Sequence, residues 1–255
     1  MHIEELIRIM AALRSAEGCP WDREQTRESL KPFIIEEAYE VLEAIDERNP
    51  TAIREELGDL LFQVIFQCQL ASELGEFTLA DVIEKIAEKM ISRHPHVFGD
   101  ADVRTAAEVL IKWDEHKKLE GKQRDSLLEG VPKTLPALQQ AHKLQSRASK
   151  VGFDWTHQDA IFDKLDEEID EFRTAINGKN IKEIEDELGD VLFTLVNIAR
   201  HIGLNPEEAL RKTIGKFISR FHYMEMTAKK QDRSLKDMTL DEMDVLWDEA
   251  KRLKE

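Results

Sequence analysis

At 255 residues the chain has room for one large domain or two small ones, with a real core in either case. It carries 36 Lys and Arg against 52 Asp and Glu, a formal net charge of -16. A surface that acidic repels phosphate backbones, which excludes duplex DNA or RNA as a partner, and it suits hard divalent cations. The two cysteines, Cys19 and Cys68, form neither a zinc cluster nor a disulfide framework, which fits a reducing cytoplasm. The opening stretch "MHIEELIRIMAALRS" is amphipathic with mixed charge and does not read as a signal peptide. No apolar run reaches the roughly 18 residues of a membrane span.

Gly and Pro are scarce, and apolar residues recur at helical spacing. The pattern predicts helices over 3–16, 33–47, 51–73, 79–93 and 105–120, then 136–150, 158–177, 181–203, 206–228 and 240–254. No convincing alternating strand interrupts them, so the expected fold class is all-α. Gly130, Pro132 and Pro136 break the pattern in "GKQRDSLLEGVPKTLP". The expected domains are therefore 1–125 and 126–255.

The two halves repeat. Residues 36–66 align with 167–197 without a gap at a constant offset of 131, and 13 of the 31 pairs are identical. "REELGDLLF" (54–62) answers "EDELGDVLF" (185–193), and "KMISR" (89–93) answers "KFISR" (216–220). Trp21 answers Trp155, and Trp113 answers Trp247. The chain reads as a tandem copy of one four-helix-type unit.

Each copy has E-E-x-x-E, then fifteen residues, then E-x-x-D. In the first copy the pairs Glu40/Glu56 and Glu37/Asp59 share the midpoint 48, inside "ERNP". In the second copy the midpoint is 179, inside "NGKN", which is turn chemistry. An antiparallel helix pair folded there sets the acids at matching heights. On a wheel of about 100° per residue, Ile34, Ala38, Val41 and Ile45 form an apolar stripe, as do Ile53, Leu57, Leu60 and Val64. Glu37, Glu40, Glu56 and Asp59 flank these stripes in the first copy. Glu168, Glu171, Glu187 and Asp190 do so in the second, with Glu36 and Glu167 further out. Four converging carboxylates raise one another's pKa unless a cation joins them. All-oxygen ligands favour Mg2+ or Mn2+ over zinc, and no Glu-x-x-His marks a di-iron bundle.

E-E-x-x-E followed by E-x-x-D on paired helices resembles the all-α nucleoside triphosphate pyrophosphohydrolases of the MazG family. "GCPWDREQTRESL" (18–30), "RHPHVFGD" (93–100) and "KFISRF" (216–221) extend the resemblance over nearly the whole chain. The resemblance implies a Mg2+-dependent hydrolase that splits NTP into NMP and pyrophosphate. The metal ligands would be Glu168, Glu171, Glu187 and Asp190, with a second candidate metal set in Glu37, Glu40, Glu56 and Asp59. A glutamate would orient or deprotonate the attacking water, and Glu167 and Glu168 are both candidates. The resemblance also implies nucleotide contacts from Lys164, Lys216, Arg220 and Trp247, and from the helical turn holding Lys182 and Glu183, with Glu168 beside them. On the wheel, Lys182 points away from Glu187, and Glu183 is not a cation.

The copies differ where the lysines fall. Lys164 corresponds to Phe33 and Lys182 to Thr51, so the first unit is expected to be the weaker or non-catalytic one. His94 and His96 read as loop or surface residues. The competing reading is a non-catalytic helical scaffold whose acid clusters are solvated or hold a structural metal. Lys164, Lys216 and Arg220 weigh against it, because a scaffold has little use for cations gathered around acids. Amphipathic hairpins of this kind finish their core against a partner, so a homodimer is expected.

Overall fold

The computed structural model describes residues 2–99, 105, 108 and 126–253. Among them every regular element is helical. The chain divides into two compact units, Met1–Lys122 and Gln123–Glu255. The first holds α1 (Ile3–Leu13), α2 (Pro20–Glu24), α3 (Lys31–Asp46), α4 (Pro50–Glu73), α5 (Leu79–Arg93) and α6 (Pro95–Phe98). The second holds α7 (Ala137–Ser149), α8 (Gln158–Gly178), α9 (Ile181–His201), α10 (Pro206–Lys230) and α11 (Leu240–Arg252), with a 3-10 turn at Leu235–Asp237. Nine of the ten helices expected from periodicity appear within a few residues of their limits. The tenth, over 105–120 with Trp113, lies outside the described residues apart from Thr105 and Glu108. The short helices α2 and α6 and the 3-10 turn are too brief for a periodic signal, and His96 belongs to α6, not to a loop.

Local chemistry starts these helices where they start. Asn49 accepts from the Thr51 and Ala52 amides, and Asn205 accepts from those of Glu207 and Glu208, each followed by a proline in the first turn. Asn180 caps α9 through the Lys182 amide. Thr78 with Asp81, and Thr239 with Glu242, form reciprocal capping boxes on α5 and α11.

The paired helices of each unit, α3 with α4 and α8 with α9, are packed antiparallel around a tight turn. Both turns use the same device. Arg48 has φ 54° and Lys179 has φ 59°, left-handed residues at the repeat offset and at the midpoint of each acid pattern. That one residue reverses the chain and fixes the register in which the acids face each other.

The core of the first unit joins α1, α4 and α5 through Met10, Leu30, Ile65, Phe66, Cys68, Leu70 and Leu79. The second buries Ile161, Ala175, Val196, Ile198, Met224, Ala228, Leu246 and Ala250. Gln145 of α7 donates to the Phe193 carbonyl of α9 at 2.8 Å. The apolar stripes read from the wheel are only partly covered. Val41 is buried, but Ile45, Leu57 and Val64 are exposed, and α4 instead buries Ile65, Phe66, Leu70 and Ala71 nearer its C-terminal end. α4 packs on α3, α1 and α5.

A left-handed residue with a β-branched side chain is sterically costly. Lys179→Val is therefore expected to lower stability by about 1–2 kcal/mol, and Lys179→Gly is not. Urea denaturation of both variants checks it.

Candidate active site

In the second unit, α8 and α9 bring carboxylates of Glu168, Glu171 and Glu187 together, one oxygen from each lying within 4.8 Å of the others. Glu168 is buried at 6% exposure, Glu187 is half-buried and Glu171 is exposed. Asp190 stands outside the trio but within electrostatic reach. Desolvation, then Glu171, Asp190, Glu168 and Asp186, push the Glu187 carboxyl above its ordinary pKa. A lysine is already present. Lys164 Nζ lies 2.9 Å from Glu168 Oε1 and 2.9 Å from Glu167 Oε1. Hydrogen bonds to those two carboxylates hold the Lys164 ammonium well above the usual lysine range. Glu167 is the outer acid and Glu168 the inner one, in the order the wheel gives.

The first unit repeats the arrangement with a difference. Its trio is Glu37, Glu56 and Asp59, again with oxygens within 4.8 Å. Each trio leaves out one member of its quartet, Glu40 in the first unit and Asp190 in the second. Desolvation, a hydrogen bond to Glu40 and the charges of Glu40, Asp59 and Glu36 push Glu37 upward. Glu56 is raised by desolvation and by Glu40, Glu55 and Asp59. At the position of Lys164 stands Phe33, whose ring meets Trp21 edge-on at 5.8 Å. Among the described residues no lysine pairs with the first trio.

The remaining cations of the second unit are dispersed. The Lys182 amide donates to Asn180 Oδ1, and Glu183 Oε1 accepts from Asn180 Nδ2 at 2.6 Å, so both belong to the start of α9. Lys216 and Arg220 lie on α10, and among the described residues neither makes an ion pair with the trio. The Arg220 guanidinium sits over the Trp247 ring, 5.6 Å from its centroid, and the Phe217 ring meets Trp247 at 5.3 Å. Arg220, Trp247 and Phe217 therefore form a second feature where α11 packs on α10. Ile214, Phe217, Ile218 and Phe221, the apolar stripe of α10, are exposed; Met224 and Ala228 supply its buried contacts. His94 Nδ1 lies 2.7 Å from the Met90 carbonyl oxygen, and neither His94 nor His96 joins an acidic cluster among the described residues.

Residues 25–98 and 156–224 each match the MazG nucleotide pyrophosphohydrolase domain. The chain belongs to the MazG family. It is 45% identical over 97% of its length to the nucleoside triphosphate pyrophosphohydrolase/pyrophosphatase MazG of Thermotoga maritima, covering 95% of that protein. It is 42% identical over 98% of its length to a nucleoside triphosphate pyrophosphohydrolase of Escherichia coli K12, covering 97% of it. It also matches an uncharacterized protein, YabN, of Bacillus subtilis at 49% identity over 95% of its length, which is 50% of that longer protein.

Both matched segments of this MazG chain carry an acid trio on a turn-symmetric helix pair. The donors are all carboxylate oxygens within 4.8 Å of one another, and that set suits a hard divalent cation. Phe217 escaped the sequence reading as a partner of Trp247. Its signal was present in "KFISRF", where Phe217 lies between the two cations.

The raised Glu187 has a definite consequence for the metal-free protein. A carboxyl whose folded pKa lies above its unfolded value costs stability once pH rises through that folded pKa, and costs nothing below the unfolded one. Glu187→Gln is therefore expected to raise the thermal midpoint in EDTA at pH 7.5 and to leave it unchanged near pH 3.5. Paired melts at the two pH values check it.

Proposed function

We infer that the protein hydrolyses nucleoside triphosphates to the monophosphate and pyrophosphate. The observation that carries this reading is the Glu168, Glu171 and Glu187 trio with Lys164 against it, set within a MazG domain. Glu168, Glu171, Glu187 and Asp190 are the residues that would hold Mg2+, with Mn2+ the natural substitute. When bound, Mg2+ supplies Lewis acidity toward the α-phosphate and offsets the charge of the triphosphate. The carboxylate of Glu167, exposed beside the trio, takes the proton of the attacking water. Glu168 is buried in the trio and serves better as a ligand than as a base. Water oxygen joins the α-phosphorus, the bond to the bridging oxygen breaks, and pyrophosphate leaves. Lys164, Lys216 and Arg220 take the phosphates, and Trp247 offers its ring to the base. Lys182 and Glu183, engaged with Asn180, stand at the edge of this arrangement.

Several features fit this reading. A net charge of -16 disfavours duplex nucleic acid as a partner. Among the described residues no helix is long and apolar enough to cross a membrane. Both cysteines are free thiols, in keeping with a cytoplasmic location. Leu188, Leu192 and Leu195 on α9, and Leu57, Leu61 and Val64 on α4, stay exposed on their helices. Rows of that kind are usually covered, and a homodimer covers them.

Ion chromatography of ATP or dGTP incubated with the protein and Mg2+ is expected to show NMP and pyrophosphate, and EDTA is expected to stop the reaction. NDP and orthophosphate as the products would contradict the assigned bond.

The two units are not expected to contribute equally, because Phe33 and Thr51 replace the lysines in the first. Glu168→Gln or Asp190→Asn is expected to lower kcat by about 10²-fold or more, the usual cost of a lost ligand or base. Glu37→Gln and Asp59→Asn are expected to cost far less. Equal losses in steady-state kinetics would show two working sites.

A further inference from the structure

We propose that Lys164 is a resident cation of the nucleotide-free site, held on Glu168 until metal and triphosphate arrive, and then handed over to the phosphates. The proposal rests on the metal-assisted reading of the same site. Three observations carry it. Lys164 Nζ is 2.9 Å from Glu168 Oε1, and Glu168 is a member of the acid trio. Glu168 is the buried member, so it is the acid that most needs a charge beside it. The Lys164 side chain is only partly covered, at 32% exposure, and its four-carbon stem can swing without disturbing the helix.

An ammonium and a divalent cation repel each other when both sit against the same carboxylate oxygen. Metal entering alone meets that repulsion, which favours displacing Lys164 with no anion to receive it. Metal entering with a triphosphate gives Lys164 a new anion to hold. The exchange makes metal and nucleotide favour each other, a coupling between two ligands through one side chain. Among its described residues the first unit lacks the device, since Phe33 packs against Trp21 where the lysine would be.

The test is Mn2+ affinity without nucleotide, read from the electron paramagnetic resonance signal of free Mn2+. The full chain carries Glu56→Gln and Asp59→Asn, so that the second trio titrates alone. Adding Lys164→Met is expected to tighten Mn2+ binding by about fivefold or more, the lower range of a typical coupling. With saturating α,β-methylene-ATP the order is expected to reverse, the chain with Lys164 binding Mn2+ more tightly. Arg173→Met removes a charge from the same helix that is paired with Asp170 and not with the trio, and is expected to change little. Lys164→Gln repeats the measurement if circular dichroism shows the Met variant to be misfolded. Unchanged or weaker Mn2+ binding without Lys164 overturns the exchange and leaves the metal reading standing. An equal gain from Arg173→Met also overturns it, because a general field effect then accounts for the result. No Mn2+ bound by any of these chains overturns both readings.

Discussion

Three carboxylates with oxygens within 4.8 Å of one another repel, and a positive charge among them relieves the repulsion. Each unit of the protein is built around that constraint. The second unit meets it with Lys164, which touches the buried Glu168 and the outer Glu167. The first unit has Phe33 in that place, and there desolvation and neighbouring acids push Glu37 and Glu56 upward, as they push Glu187 in the second unit. A divalent cation relieves the crowding in either unit. Among the described residues, only the second also has a lysine against its acids.

The crowding is fixed by the backbone and not by the acids themselves, which repel. Asn49 and Asn180 start the second helix of each pair, and Arg48 and Lys179 turn the chain just before them. Both turn residues pay a left-handed conformation without being glycine, at a cost of about 1 kcal/mol. Helix pairing on the covered sides of α4 and α9 then holds the acids at equal height against their mutual repulsion. The turn, the caps and the packing are thus the scaffold of the site, and the site spends part of the stability they provide.

Much of this was legible in the sequence because it is periodic. Helix limits followed from apolar spacing, and the hairpin followed from the shared midpoints at 48 and 179. The order of Glu167 outside and Glu168 inside followed from the wheel. Three things were not legible. A wheel gives the angle of a residue but not which neighbour covers it, so Ile45, Leu57 and Val64 read as core and are exposed. It treats a quartet as four equal arms, whereas side-chain reach selects Asp59 in one unit and Glu171 in the other. It also cannot foresee a contact between distant helices, such as Phe217 on Trp247 with Arg220 above the same ring.

That last contact bears on how the two features of the second unit divide their labour. The trio with Lys164 is crowded with charge and manages it by pairing. The α10 and α11 feature has the opposite character: an arginine without an ion pair among the described residues, lying over an indole that is itself half-buried by Phe217. A guanidinium on an aromatic face keeps its in-plane N–H groups free for an anion. A phosphate chain suits that arginine, and a flat base suits the indole beside it. A nucleotide carrying a phosphate chain has chemistry that suits both features, since its phosphates favour metal and cations while its base favours an apolar face. Duplication of the unit copied the acids into both halves, but among the described residues only the second half pairs them with a lysine and carries an arginine-capped tryptophan.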